Sequence, residues 1–265
     1  MPLNRFRARN TAAQSENKIH DDRVAAQYGF RGGLVPGVTV YGYMASAVVQ
    51  ELSLEWLARG SMEIRFRHPF YDGDEVQVVT QATGGCLQVT ASQQDGTVCA
   101  AGSATLDSQL VWNADLMEHP LPDPADRPPA VRDSFSPGAP LGTLRITLDL
   151  TDTAFLESLG FDTMAEPAAI YRGPDGAAHP AVLLGMANRI FVRNFQLGPW
   201  IHAGSELTNF GVARHGDEIT VKGRIQDCFE RTGHEFVALD LSLTASGDRP
   251  IQLVRHTAIY RPKVG

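Results

Sequence analysis

Two long apolar runs organise the chain, "VTVYGYMASAVVQEL" from Val38 to Leu52 and "AVLLGMANRIFVRNF" from Ala181 to Phe195. Each is long enough for about four helical turns, and the first is apolar almost all round, which predicts a helix enclosed by protein rather than one lying on a surface. Period-two patterns follow each run. "GSMEIRFRHPFYDGDEVQVVTQAT", "CLQVTASQ" and "VCAAGSATL" come after the first. "GSELTNFGVARHGDEITVKGRIQD", "EFVALDLSLTAS" and "IQLVRHTAIYRP" come after the second. Alternation of this kind predicts antiparallel strands with one covered face. Ahead of the first run, "DRVAAQY" reads as a short helix capped by Asp21 or Asp22 and closed at Gly29.

The two sets repeat one plan. The "GDE" triplets begin at Gly73 and Gly216, and the mid-helix glycines are Gly42 and Gly185; both pairs stand 143 positions apart (216−73 and 185−42). Two independent landmarks with one offset mark a duplication. Between them "WNADLMEHPLPDPADRPPAVRDSFSPGAP" is rich in proline and acid and keeps neither period, which predicts a connection running over a surface. The expected organisation is a first unit over 1–107, a connection over 108–141 and a second unit over 142–265. An antiparallel sheet curled around a buried helix, present twice, predicts an α+β double hot-dog fold: two antiparallel sheets, each wrapped around its own central helix.

Composition narrows the partners. The formal charge of -7 argues against nucleic acid and against an anionic membrane surface, since both call for a basic face. "MPLNRFRARN" lacks the apolar stretch of a secretory signal, and the first apolar run is broken by Pro36, Gly37 and Gly42, too short to span a bilayer. Cys86, Cys99 and Cys228 are far apart and fit reduced thiols of a cytoplasmic protein. No histidine spacing suggests a metal site, and no phosphate-binding loop or serine-hydrolase elbow is present, so neither metal nor cofactor is expected.

Candidate chemistry concentrates in "SENKIHDDRVAAQYGFRGGLVPG", Ser15 to Gly37. As plain structure, this is a polar turn with a capped helix. Its residues also resemble the signature of the MaoC-like enoyl-CoA hydratases and dehydratases, an aspartate, any residue, asparagine, proline, an aliphatic residue and histidine, then a small residue. Here Asn17, Ile19, His20 and Ala26 match, and "YGFRGGLVPG" is similar to the loop that leads into that family's central helix. The aspartate position is Ser15 and the proline position Lys18; Glu16 is the nearest carboxylate, one residue from the aspartate's place.

The resemblance implies an acyl thioester as substrate, an enoyl-CoA or an acyl-carrier thioester. It implies His20 as acid/base, Asn17 and Glu16 as its catalytic partners, and Ser15, Gly37 and Val38 in substrate binding. The residue types suit the chemistry. Histidine exchanges protons near neutrality, and the free N–H groups of Gly37 and Val38 at a helix start can polarise a thioester carbonyl. An acyl-binding protein of weakened activity and, less directly, a thioesterase remain open; for the thioesterase, Glu51 would stand at the wrong end of the helix. The second unit has Thr163 where the first has His20, and His179 reads as a histidine at a helix start. As a duplicated chain already holds the usual pair of units, either a monomer or a homodimer is expected.

Overall fold

The computed structural model of the chain describes residues 2–106, 111–166 and 168–264; the unit boundary expected at 107/108 lies outside these residues. In chain order the elements are β1 (Leu3–Arg7), α1 (Asp22–Ala26), α2 (Gly37–Leu52), α3 (Trp56–Arg59), β2 (Gly60–Phe66), β3 (Glu75–Thr83), β4 (Cys86–Ser92) and β5 (Val98–Leu106). They continue with β6 (Pro140–Thr147), α4 (Thr153–Ser158), α5 (Pro180–Asn194), β7 (Ile201–Asn209), β8 (Glu218–Arg231), β9 (His234–Ala245) and β10 (Arg249–Arg261).

The strands run in the order β1-β3-β4-β5-β2-β7-β10-β9-β8-β6, and every neighbouring pair is antiparallel. The two expected sheets are therefore joined: β2 pairs with β7, Glu63 opposite Glu206, and ten strands form one continuous surface. Like charges directly opposite each other repel, and Arg65 relieves this pair by bonding both, at 3.2 Å to Glu63 and 2.7 Å to Glu206. The edge strands β1 and β6 were not legible in the sequence. β6 starts at Pro140, two positions inside the stretch read as connection, and a proline without an N–H suits the first residue of an edge strand.

The two long helices pack against each other beneath this surface. Every residue of α2 from Val38 to Val48 is buried, as its unbroken apolar pattern requires. Pro36 precedes α2, while α5 carries Pro180 in its first turn, where a missing N–H costs nothing. His179 caps α5: its Nδ1 accepts from the Ala181 N–H at 3.2 Å, and its Nε2 lies 3.1 Å from Ser46 Oγ on α2.

Both mid-helix glycines serve close approach, against different neighbours. A Cβ on Gly42 would stand 3.1 Å from the Ala181 Cβ of α5, whereas one on Gly185 would overlap the Leu159 carbonyl. Alanine at Gly185 is thus expected to cost about 1–3 kcal/mol through overpacking against fixed backbone, and alanine at Gly42 clearly less. Urea denaturation of both variants checks the order; equal costs would contradict this packing.

Candidate functional site

Asn17 starts a single 3-10 turn, Lys18–His20, and α1 follows directly. Asp21 caps α1, accepting from the Val24 N–H at 3.0 Å, and Asp22 accepts from the Gly33 N–H at 2.7 Å. Gly29 closes the turn with φ at 82°. Both aspartates are therefore spent on holding the loop. Asn10 Nδ2 donates to the His20 carbonyl at 2.8 Å. A Cβ on Gly33 would overlap that carbonyl, so only glycine lets the two strands of the loop meet there.

This framework aims His20. Its Nδ1 lies 2.7 Å from the Leu34 carbonyl oxygen, which can only accept, so Nδ1 carries the proton. Burial, partly offset by that bond, lowers the imidazole pKa below its ordinary 6.5, so the ring is neutral near pH 7 and Nε2 is an acceptor, met by the Asn17 amide. Asn17 Nδ2 stands 3.3 Å from Nε2. The amide of Asn17 is itself fixed across the molecule: Nδ2 donates to the Trp200 carbonyl at 2.9 Å, and Oδ1 accepts from the Trp200 N–H at 3.1 Å. Trp200 immediately precedes β7, so the second half of the chain positions the loop of the first.

His20 and Asn17 face a cavity of about 970 Å³ lined by both halves of the sheet. Its wall includes Pro36, Gly37 and Val40 at the start of α2, together with Asn188, Trp200 and His202. The N–H groups of Gly37 and Val38 precede the first helical bonds of α2, which begin at Thr39 and Val40. Arg67 and Arg231 are exposed lining residues, and among the described residues no carboxylate contributes to the wall.

Not every expected residue reaches this space. Glu16 is exposed and does not line the cavity; its electrostatic influence falls on Arg189 of α5. Ser15 is also outside the wall, its hydroxyl donating to the Asn17 carbonyl at 3.3 Å. The physical reason is the 3-10 turn, which uses Asn17 as its cap and leaves the two residues before it on the outer side. The Val38 side chain packs against Gly160 rather than the cavity. Conversely, His202 and Asn188 line the cavity and were not singled out from the sequence. The one available signal was a histidine at a position of β7 that alternation assigns to the interior.

In the half of the chain that lacks the histidine, the segment around Gly160 packs against α2. Gly160 lies against Val38, and its carbonyl accepts from Thr39 Oγ1 at 2.8 Å. Arg9 and Tyr43 both bind Asp162, at 2.8 and 2.7 Å, clamping the segment after α4 in place. Thr163 donates to Glu157 at 2.7 Å and has no catalytic partner there. Among the described residues no group of three or more His, Cys, Asp or Glu is placed to hold a metal ion, and no helix is long and apolar enough to cross a membrane.

No family model matches this sequence, and no curated protein does. Solved structures do match along nearly the whole chain. A MaoC-like dehydratase aligns over 97% of this chain and 96% of its own, at 16% identity and a TM-score of 0.58. A MaoC domain protein from Chloroflexus aurantiacus J-10-fl covers 99% and 96%, at 12% identity and 0.60. RV0216 from Mycobacterium tuberculosis, described as having a double hotdog fold, covers 97% and 95%, at 15% identity and 0.57. The chain has the double hot-dog fold. MaoC-like dehydratases share it, and the unpaired β2 and β7 edges of two hot-dog units meet in this double hot-dog chain to make its ten-stranded surface.

Proposed function

We propose that this double hot-dog protein is a hydro-lyase acting on an acyl thioester, an enoyl-CoA or its carrier-bound equivalent. The observation that carries the reading is the His20 Nε2 lone pair, held at the wall of a cavity that also contains the start of α2. A thioester carbonyl placed against the Gly37 and Val38 N–H groups would have its double bond polarised toward that end. A water that takes the place of the long Asn17 contact on Nε2 then loses a proton to that nitrogen as its oxygen bonds to the β-carbon. The electron pair of the double bond moves into an enolate, and Nε2–H returns the proton to the α-carbon.

One histidine thus acts in both directions, because among the described residues no carboxylate shares the wall. Protons of general acids and bases must be exchanged within hydrogen-bond reach, and Glu16 is outside it. Glu16→Gln is therefore expected to change turnover less than about twofold, and Ser15→Asp to add no activity, contrary to the roles that the sequence suggested. A loss of about a hundredfold in Glu16→Gln would return that residue to the site.

The large cavity suits an acyl chain, and Arg67 and Arg231 suit a phosphate-bearing carrier at its mouth. A second reading, an acyl-binding protein of weakened activity, is favoured by the same lack of a carboxylate. A thioesterase is not favoured: Glu51 is exposed near the far end of α2. Loss of the enoyl absorbance of crotonyl-CoA or octenoyl-CoA tests the proposal. Binding without turnover supports the acyl-binding reading, and release of free thiol supports the thioesterase.

A further inference from the structure

At the same cavity as His20, β7 presents a second histidine in an unusual setting. His202 is 5% exposed, lines the cavity, and its Nδ1 has no hydrogen-bond partner. That atom lies against the start of α2: a Cβ on Gly37 would stand 2.9 Å from it. Glycine at 37 is thus needed for the imidazole to approach the helix start, a reason that has nothing to do with the acyl group. An orphaned polar atom in this position is costly to leave unmatched, and the cavity beside His202 is where a ligand can match it.

The tautomer follows from its neighbours. His202 Nε2 is 2.8 Å from Ser205 Oγ, and Ser205 Oγ is 3.1 Å from His256 Nδ1. Ser205 stands opposite His256 in the β7–β10 pairing, so the register itself builds the chain. Burial pushes both imidazoles far below the usual range, His256 to about 3 and His202 well down, so both are neutral. The single hydroxyl proton can go to only one of them.

If it goes to His256, the Nε2 of His256 carries a hydrogen, and that atom is buried without an acceptor. If it goes to His202, His256 is left only with an unused lone pair, and His202 carries its hydrogen on Nδ1 beside the cavity. Each arrangement leaves one buried N–H unmatched, but only His202 lines the cavity, where a ligand can accept it, so a bound acceptor selects the second arrangement. His202 is then a donor aimed at the helix start.

We propose that His202 Nδ1–H donates to the carbonyl oxygen of the bound acyl thioester, joining the Gly37 N–H in a cradle built by both halves of the chain. This rests on an acyl thioester being the ligand, as in the reading above. The proton stays on nitrogen throughout; the imidazole polarises the carbonyl, and the Ser205 hydroxyl holds the ring in its donating form.

The test reads the carbonyl directly. Butyryl-CoA isotopically labelled at its carbonyl cannot be hydrated, and its C=O stretch should fall in frequency on binding wild type. His202→Phe should lose most of that fall and lower kcat toward crotonyl-CoA about a hundredfold with little change in KM, as removal of an oxyanion donor does. His202→Asn, whose amide nitrogen reaches the Nδ1 position, should restore part of both. Ser205→Ala should show an intermediate loss and decides the matter if His202→Phe fails to fold.

His20→Ala should keep the carbonyl shift while losing turnover. A shift in wild type without any hydration would refute the hydro-lyase and leave His202 standing. Hydration by wild type with an unchanged stretch and kcat in the His202 and Ser205 variants would overturn the His202 proposal alone. A wild type that binds neither thioester overturns both.

Discussion

His20→Ala is expected to lower turnover of an enoyl thioester by about a hundred- to ten-thousandfold, the usual contribution of a positioned general base. The upper part of that range applies if one imidazole both removes and returns the proton, since among the described residues no carboxylate lies on the wall to substitute. The effect should fall on kcat, because His20 meets the water rather than the acyl chain. Stability should change little, as the loop is held independently by Asp21, Asp22, Asn10 and Asn17.

The pH profile provides a second signature. Only the neutral ring is a base, and burial lowers its pKa below 6.5. The kcat/KM of wild type should therefore stay level through neutrality and decline only as pH falls through that lowered value. A profile that rises with acid, or a His20→Ala enzyme within about tenfold of wild type, would show that another group is the base.

The other large effect expected is acid instability from buried histidines. His179 and His256 are buried as neutral rings, each with its pKa pushed down to about 3, and His202 is lowered in the same direction. In the unfolded chain each would take up a proton near 6.5. Between about pH 6.5 and 3 the unfolded state therefore binds more protons, and stability falls as pH falls. Each such group contributes a slope of about 1.4 kcal/mol per pH unit, so His179 and His256 together approach about 3 kcal/mol per unit.

Against a total stability of about 5–15 kcal/mol, that slope is enough to unfold the protein in mildly acidic buffer. Urea denaturation at successive pH values measures it. His179→Asn should reduce the slope by about one group's share. Asparagine still accepts from the Ala181 N–H as a cap but does not titrate. An unchanged slope in that variant would remove His179 from the account.

The long helices, most strands and the duplication were legible because each depends on local order. Apolar runs uninterrupted by charge had to be enclosed, and alternating runs had to become strands with one covered face. The common offset of Gly42–Gly185 and Gly73–Gly216 then specified two copies of one unit. The turn around His20 was legible for the same reason, since Asn17, Asp21 and Gly29 act on neighbours within a few residues.

What sequence could not decide depends on partners far along the chain. β1 and β6 are short edge strands with weak patterns, and they form because β3 and β8 offer unpaired backbone. The exclusion of Glu16 was invisible because one position of rotation in the turn decides whether a side chain faces the cavity or solvent. His202 was invisible as a site residue because its environment is assembled from Gly37, Ser205 and His256, which share no local pattern. The sequence by itself determined the double unit, its enclosed helices and the histidine loop, since periodicity and caps are read within a few turns. Only the tertiary structure decided which side chains meet in the cavity, because β2–β7 pairing joins residues about 140 positions apart and Asn17 meets Trp200 across 183, and no local pattern encodes that register.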